Sequence, residues 1–212
     1  MTVVADSSPL ITLTKIGRLD LLNYLYQTIT ITPQVYDEVV VRGSGLAGSA
    51  EIAACKWIEV KPIENVAALA GAQKEFGLGV GETSVIVLGR EVRASLVLID
   101  EIKARKAARE HGLAVLGCVG ILEDAFGLHL LSDLALAYRQ LVSSGAYVDH
   151  RILENSLKVE LAAEVRRGSR RDGVPPHFRP RKTRYRRYWC NGLPARYNRL
   201  NTVKPKGNLY FR

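Results

Sequence analysis

Two aspartates in this 212-residue chain close apolar runs. Asp6 ends "TVVA" and is followed at once by Ser7, Ser8 and Pro9, and Asp100 ends "SLVLI". A carboxylate at the end of a buried strand loses hydration, which is costly unless something compensates. Two glutamates stand in comparable settings. Glu38 lies beside Asp37 in the segment after "TITI". Glu82 opens a helix directly behind the glycine-rich "GLGVG", where a helix dipole favours negative charge. Four carboxylates around one cavity repel one another and raise one another's pKa. A hard divalent cation relieves that repulsion, and Mg2+ and Mn2+ prefer carboxylate and water oxygens. Ser7 and Ser8 can hydrogen-bond the Asp6 carboxylate and fix its angle, as the outer partners of metal ligands do.

For these acids to meet, the strands that carry them must run side by side in the same direction. The pattern supplies them. "TVVA", "TITI", "KWIEVKP", "SLVLID" and "LAVL" read as short strands, and helical spacing fills the intervals. Leu10, Leu13 and Ile16, then Leu21, Leu22 and Leu25, mark helices in "SPLITLTKIG" and "RLDLLNYLYQ". Thr32-Pro33 is a helix start, an N-cap residue before proline at the first helical position, and that helix runs through "PQVYDEVVV" to Arg42-Gly43. "NVAALAGAQKEF" is helical, "GLGVGE" breaks it, and "ETSVIVLGREV" resumes as a buried helix. "EIKARKAAREHG" is a charged helix with an apolar stripe at Ile102, Ala104, Ala107 and Ala108, and "GCVGILEDAFG" and "SDLALAYRQLVSSG" follow as helices. The alternation predicts an α/β domain with a mainly parallel sheet. In such a sheet the carboxyl ends of the strands share one edge, and ligand sites form there where strand order reverses.

Each acid also has a plainer reading. Asp6 can cap the helix that begins at "SSPL", and Glu82 can be an ordinary first-turn acid. Asp37 and Glu38 both fall at the margin of the apolar stripe, and the helical wheel does not choose between them. His111, His129 and His150 read as surface or packing residues. "GLGVG" lacks the Lys-Ser/Thr of a phosphate loop, so its glycines read as turn formers that let Glu82 approach a metal.

Composition excludes several classes. Apolar residues make up 47% of the chain, enough for a core, but no apolar run approaches the ~20 residues of a membrane span. The N-terminus has no basic, apolar and cleavable segments in series, so no secretory signal is expected. Cys55, Cys118 and Cys190 are far apart and odd in number, which argues against a zinc site or a disulfide framework and for thiols in a reducing cytoplasm. The net charge of +9 is uneven: residues 166–212 hold 15 of the 30 Lys and Arg but only one of the 21 Asp and Glu.

Four blocks together, "VVADSSPLITLTKIGRLDLL", "ITPQVYDEVV", "GLGVGETSVIVL" and "LVLIDEIKARKAAREHGLAVLGCVGIL", resemble the PIN-domain nucleases, and within them a VapC-like subgroup of toxin ribonucleases. The resemblance covers roughly residues 1–160, in order. It implies a three-layer α/β/α domain over residues 1–165 and a Mg2+- or Mn2+-dependent endoribonuclease whose products carry a 5′-phosphate. The family's acidic quartet falls on Asp6, Glu38, Glu82 and Asp100, with Asp6, Glu82 and Asp100 as metal ligands. Its polar residue two after the first aspartate matches Ser8, and Glu101 stands where many relatives have a second acid that reaches metal through water. The resemblance further implies a cytoplasmic homodimer whose acidic groove is blocked by a cognate antitoxin.

Rival readings fail on particular residues. An aspartyl-phosphate phosphatase needs a second acid where Ser8 stands, and a receiver domain needs a lysine that "LAVLGCVG" does not supply. The remaining rival is a catalytically inactive PIN-like module that binds RNA or a partner, which the presence of all four acids opposes.

Residues 166–212 show no helical or strand period, and their arginines, glycines and prolines cannot build a core, so a disordered basic extension is expected. Arg167, Arg170, Arg171, Arg181, Arg184, Arg186 and Arg187, interleaved with Tyr185, Tyr188 and Trp189, suit RNA, cations meeting phosphate and rings stacking on bases. The other reading is an extension without a selected role. Deleting residues 166–212 is expected to leave the melting transition of the remainder nearly unchanged, because such a segment buries little. A large drop in melting temperature on deletion would show that the boundary lies elsewhere.

Overall fold

The computed structural model describes residues 1–159 apart from positions 47, 147 and 150. The expectations for residues 166–212, including the RNA-binding arginines Arg181, Arg184, Arg186 and Arg187, lie outside the described residues. Five strands, β1 (Val3–Ala5), β2 (Ile29–Ile31), β3 (Ile58–Val60), β4 (Leu96–Leu98) and β5 (Val115–Leu116), form one sheet in the order β3-β2-β1-β4-β5. Every neighbouring pair is parallel. Side chains alternate between the faces of a strand. All three residues of β1 and all three of β4 are buried, so both faces of the central strands are covered. That is the three-layer α/β/α arrangement, and it explains why these strands read as unbroken apolar runs.

The order reverses between β1 and β4. The chain builds outward from β1 through β2 to β3, then returns to the other side of β1 with β4 and β5. Asp6 and Asp100 therefore emerge at the switch point, on adjacent strands and at one edge. The Asp6 N–H donates to the Leu98 carbonyl at 2.9 Å, which extends the β1–β4 ladder up to the first acid.

Helices α1 (Ser7–Lys15) and α2 (Asp20–Tyr26) join β1 to β2. After β2, α3 (Pro33–Tyr36) starts as the Thr32-Pro33 pair predicts, with Thr32 Oγ1 accepting from the Val35 N–H at 3.2 Å. It does not continue as regular α-helix to Arg42. Asp37–Val41 winds as a π-turn, one residue wider per turn, a feature found most often at functional sites. Helix α4 (Ser49–Ala54) leads to β3. Helices α5 (Val66–Phe76) and α6 (Val80–Glu91) return the chain to β4. Residues Thr83 to Gly89 of α6 are all buried. Gly89 permits this close approach: a Cβ there would lie 3.2 Å from methyls of both Leu113 and Val97. Helix α7 (Ile102–Glu110) joins β4 to β5 and buries Ala104 and Ala108 completely. Ile102 is 70% exposed, so it does not belong to the buried stripe expected of it; it sits at the first position of the helix, before the packed face begins. Helices α8 (Cys118–Gly127) and α9 (Leu134–Ser143) follow, and residues 151–159 form one more helical segment that sequence reasoning did not anticipate. Tyr138 holds that segment through a 2.7 Å hydrogen bond with Ser156.

Two buried hydroxyls tie α3 to α6. Thr32 Oγ1 and Ser84 Oγ are 2.7 Å apart, and Ser84 Oγ in turn donates to the Gly81 carbonyl at 2.6 Å. Thr32 therefore both caps α3 and fixes the spacing between the helix that carries Glu38 and the helix that carries Glu82. Thr32→Ala is expected to destabilise the protein by at least the ~1–2 kcal/mol of a lost N-cap. Denaturant unfolding checks this, and a loss under about 0.5 kcal/mol would show that the cap and the cross-helix bond contribute little.

Candidate active site

Asp6 is 3% exposed and lies at the N-cap position of α1, yet its side chain makes no capping bond. Its Oδ2 accepts from the Ser8 hydroxyl at 3.2 Å, and its Oδ1 has no hydrogen-bond partner. Burial pushes the carboxyl up from 3.8 to about 6. The Ser7 amide and the Ser8 hydroxyl pull it back, while the negative charges of Glu82 and Glu38 push it further up. Three of the four sequence-predicted acids thus act on one another at the carboxyl edge of β1. Ser7, buried at the first position of α1, supplies its amide to this balance.

Glu82 stands at the third residue of α6, which begins two residues earlier than the glycine pattern suggests. Its Oε2 accepts from the Gly79 N–H at 3.0 Å, so the carboxylate also serves as the first-turn cap that the plainer reading foresaw. Along the π-turn Asp37 and Glu38 diverge. Asp37 pairs with Arg42 at 2.7 Å on the surface. Glu38 instead reaches α6, where its Oε2 lies 3.1 Å from the position a Cβ on Gly81 would occupy. The Gly81 position is therefore bare for the sake of Glu38, not only to form a turn in front of Glu82.

Asp100 has a different environment. Its Oδ1 accepts from the Cys118 N–H at 2.7 Å, and its Oδ2 from the Cys118 thiol at 2.9 Å. A Cβ on Gly117 would fall 2.7 Å from Asp100 Oδ1 and 3.2 Å from Nη1 of Arg105. The carboxylate is thus folded onto the start of α8, flanked by a guanidinium whose Nε is buried without a partner. Glu101 caps α7, its Oε2 accepting from the Ala104 N–H. Among the described residues, no three Asp, Glu, His or Cys side chains close on a point that could hold a metal ion. The donor chemistry nevertheless fits a hard divalent cation. Asp6 presents an unpartnered, buried carboxylate oxygen, and its raised pKa comes first from burial and then from the charges of Glu82 and Glu38, both of which a bound cation offsets. Asp6, Glu82 and Asp100 are the residues that would hold it, and the charge of Glu38 acts on Asp6 beside them.

Sequence reasoning missed two contributors. Cys118 read only as an inert thiol, and Thr32 only as a cap. The single signal for Cys118 was its position, two residues after a strand and opening a helix, where first-turn N–H groups need acceptors.

The raised pKa of Asp6 has a consequence for stability. Folding holds the proton more tightly than the unfolded chain does, so stability falls as pH rises from about 4 through about 6 and stays lower above. In EDTA, Asp6→Asn is expected to raise the melting temperature at pH 7.5, by an amount equivalent to at most about 3 kcal/mol. Near pH 3.5, where both folded and unfolded carboxyls are protonated, the difference should vanish. A wild-type protein as stable as Asp6→Asn at every pH would remove the repulsion from the site.

The family model of the PIN domain matches residues 2–161. No curated protein matches the chain at a significant level. PIN domains are generally nucleases, and they generally use divalent metal ions. With the parallel sheet, the switch-point aspartates and a model match over most of its length, the chain belongs to the PIN-domain family.

Proposed function

We propose that the protein is a Mg2+- or Mn2+-dependent endoribonuclease of the VapC-like subgroup, the toxin of a type II toxin–antitoxin pair. The observation that carries this reading is the buried Asp6 carboxylate, one oxygen unpartnered, with the charges of Glu82 and Glu38 set against it. A purely structural acid this buried would have both oxygens hydrogen-bonded or its charge neutralised, whereas Ser8 satisfies Oδ2 alone. This one is poised for a positive ligand.

The roles follow from the geometry. Asp6 Oδ1 offers the free donor, and Ser8 holds Oδ2 so that the carboxylate cannot rotate away. Glu38 adds negative charge from the π-turn, its carboxylate near Gly81, and Glu82 adds it from the first turn of α6, anchored on the Gly79 amide. Asp100 closes the β4 side, held against the start of α8 by Cys118. A divalent ion bound among these groups supplies an activated water and neutralises charge on the phosphoryl oxygens. The protein's own part is to hold the acids in register and to keep the Asp6 side of the site dry. RNA is the substrate of this reading, a cognate antitoxin its inhibitor, a homodimer its working form and the cytoplasm its compartment. The two described cysteines, both free thiols, suit a reducing compartment.

One observation favours a second reading, a catalytically inactive PIN-like module that binds RNA or a partner. Glu82 and Asp100 are both hydrogen-bonded to helix N-termini, and no three acids converge closely among the described residues. Incubating the purified protein with structured RNAs, with Mg2+ or with EDTA, and mapping the cut ends separates the two. The nuclease reading expects cuts bearing 5′-phosphates only when metal is present, and intact RNA with metal would favour the binding module.

Asp100→Asn keeps the side-chain volume and removes one charge. It is expected to leave RNA affinity within about threefold of wild type while cleavage falls more than ~100-fold, because the metal acts on the transition state rather than on the whole substrate. Metal affinity should fall, since an amide is a poorer ligand for a hard cation. Cleavage by Asp100→Asn at the wild-type rate across a Mg2+ titration would remove Asp100 from the reaction and direct attention to Glu101.

A further inference from the structure

The carboxylate of Asp100 is held at both oxygens by one residue, Cys118. The backbone N–H donates to Oδ1 at 2.7 Å and the thiol to Oδ2 at 2.9 Å. The other oxygen near the thiol, the Pro9 carbonyl, is 4.0 Å away, so the carboxylate is the nearer acceptor. Gly117 is required by this arrangement, because a Cβ there would intrude to 2.7 Å from Asp100 Oδ1. Cys118 is 2% exposed, so the contact is shielded from water and its geometry is set by packing.

We infer that Cys118 is a positioning residue for the hydrolysis, orienting the Asp100 carboxylate toward its ligand from a place beside Pro9 of the helix that begins next to Asp6. The inference rests on the nuclease reading and on Asp100 acting in it. Three elements meet at the sulfur: α1, which starts beside the first acid, the end of β4, which carries the fourth, and α8, whose first turn supplies the cradle. An aspartate with two soft torsions would otherwise sample several orientations at a strand end. A two-point grip leaves one. The thiol is a weak donor, and the anionic acceptor strengthens the bond. No covalent or redox step is involved, and the thiol keeps its proton throughout.

The test compares the full-length wild-type protein with Cys118→Ala, Cys118→Ser and Asp100→Asn. Cys118→Ala keeps the amide and deletes only the thiol bond. It is expected to lower kcat for RNA cleavage and to weaken Mn2+ binding measured by calorimetry, each about 10–100-fold, the usual effect of removing an outer partner that orients a metal ligand. KM for RNA should stay within about threefold, since the substrate is not touched. Cys118→Ser retains a donor at nearly the same place and should recover most of both losses. Cys118→Val, which fills the site without donating, is expected to behave like Cys118→Ala, and it stands in for that variant if the alanine protein does not fold.

Wild-type kcat and Mn2+ affinity in Cys118→Ala, with both lost in Asp100→Asn, would overturn the role of Cys118 and leave the nuclease reading intact. Equal losses in Cys118→Ser and Cys118→Ala would also overturn it, by showing that packing rather than the hydrogen bond is at stake. Wild-type cleavage in Asp100→Asn would overturn the reading of Asp100, and the role of Cys118 with it.

Discussion

Negative charge gathered at one edge of a parallel sheet is the constraint around which this protein is arranged. Left alone, such a cluster would spread or neutralise itself. Helix N-termini are what the fold supplies against it, because their unpaired N–H groups carry partial positive charge. Asp6 stands at the start of α1, Glu82 in the first turn of α6, Asp100 against the first amide of α8 and Glu101 at the start of α7. In a doubly wound sheet every helix that follows a strand begins at the carboxyl edge. The topology that brings the acids together therefore also brings the dipoles that tolerate them. Asp6 is the residue for which this compensation falls short, which its raised pKa and its unpartnered oxygen both record.

Glu38 reaches the cluster by another route. It lies on the helix after β2, on the solvent side, and a regular helix would leave Asp37 and Glu38 about equally placed. The π-turn over Asp37–Val41 adds a residue to the turn and separates their directions, one to Arg42 on the surface and the other to Gly81. Thr32 and Ser84 lock the spacing between the two helices beneath. A wide turn in a helix costs hydrogen-bond geometry, and such turns persist where they aim a side chain that function needs.

The sequence was most readable where a residue's chemistry conflicted with its setting. Asp6 and Asp100 stood out because an acid ended an apolar run, and the parallel sheet follows from the same runs being buried on both faces. The Thr32-Pro33 helix start was legible because cap chemistry is local. Whatever depended on contacts distant in sequence was not. The Thr32–Ser84 bond spans 52 positions and the Asp100–Cys118 pair spans 18, and neither partner carries a local mark of the other. The π-turn was invisible because a π-turn and an α-helix share one composition. The helical segment at 151–159 lacked a strong apolar stripe, and its Ser156 meets Tyr138 from 18 positions away. Ile102 misled because periodicity counted it, although it precedes the packed face of α7.

Hydrogen bonds to amides do not remove an acid from metal chemistry. An ionised carboxylate has about four lone-pair sites, and one or two N–H or S–H donors leave the rest open. Glu82 uses one oxygen on Gly79, Asp100 uses one site on each oxygen, and Asp6 keeps an entire oxygen unpartnered. The bonds that are made fix where the remaining lone pairs point, which is what a ligand set needs before an ion arrives. The acids are therefore graded. Asp6 is the least satisfied and the most buried, and it stands to gain most from a cation. Glu82 and Asp100 are already steadied by helix amides. Glu38, exposed and held by the shape of its turn, has the least to lose by staying in water.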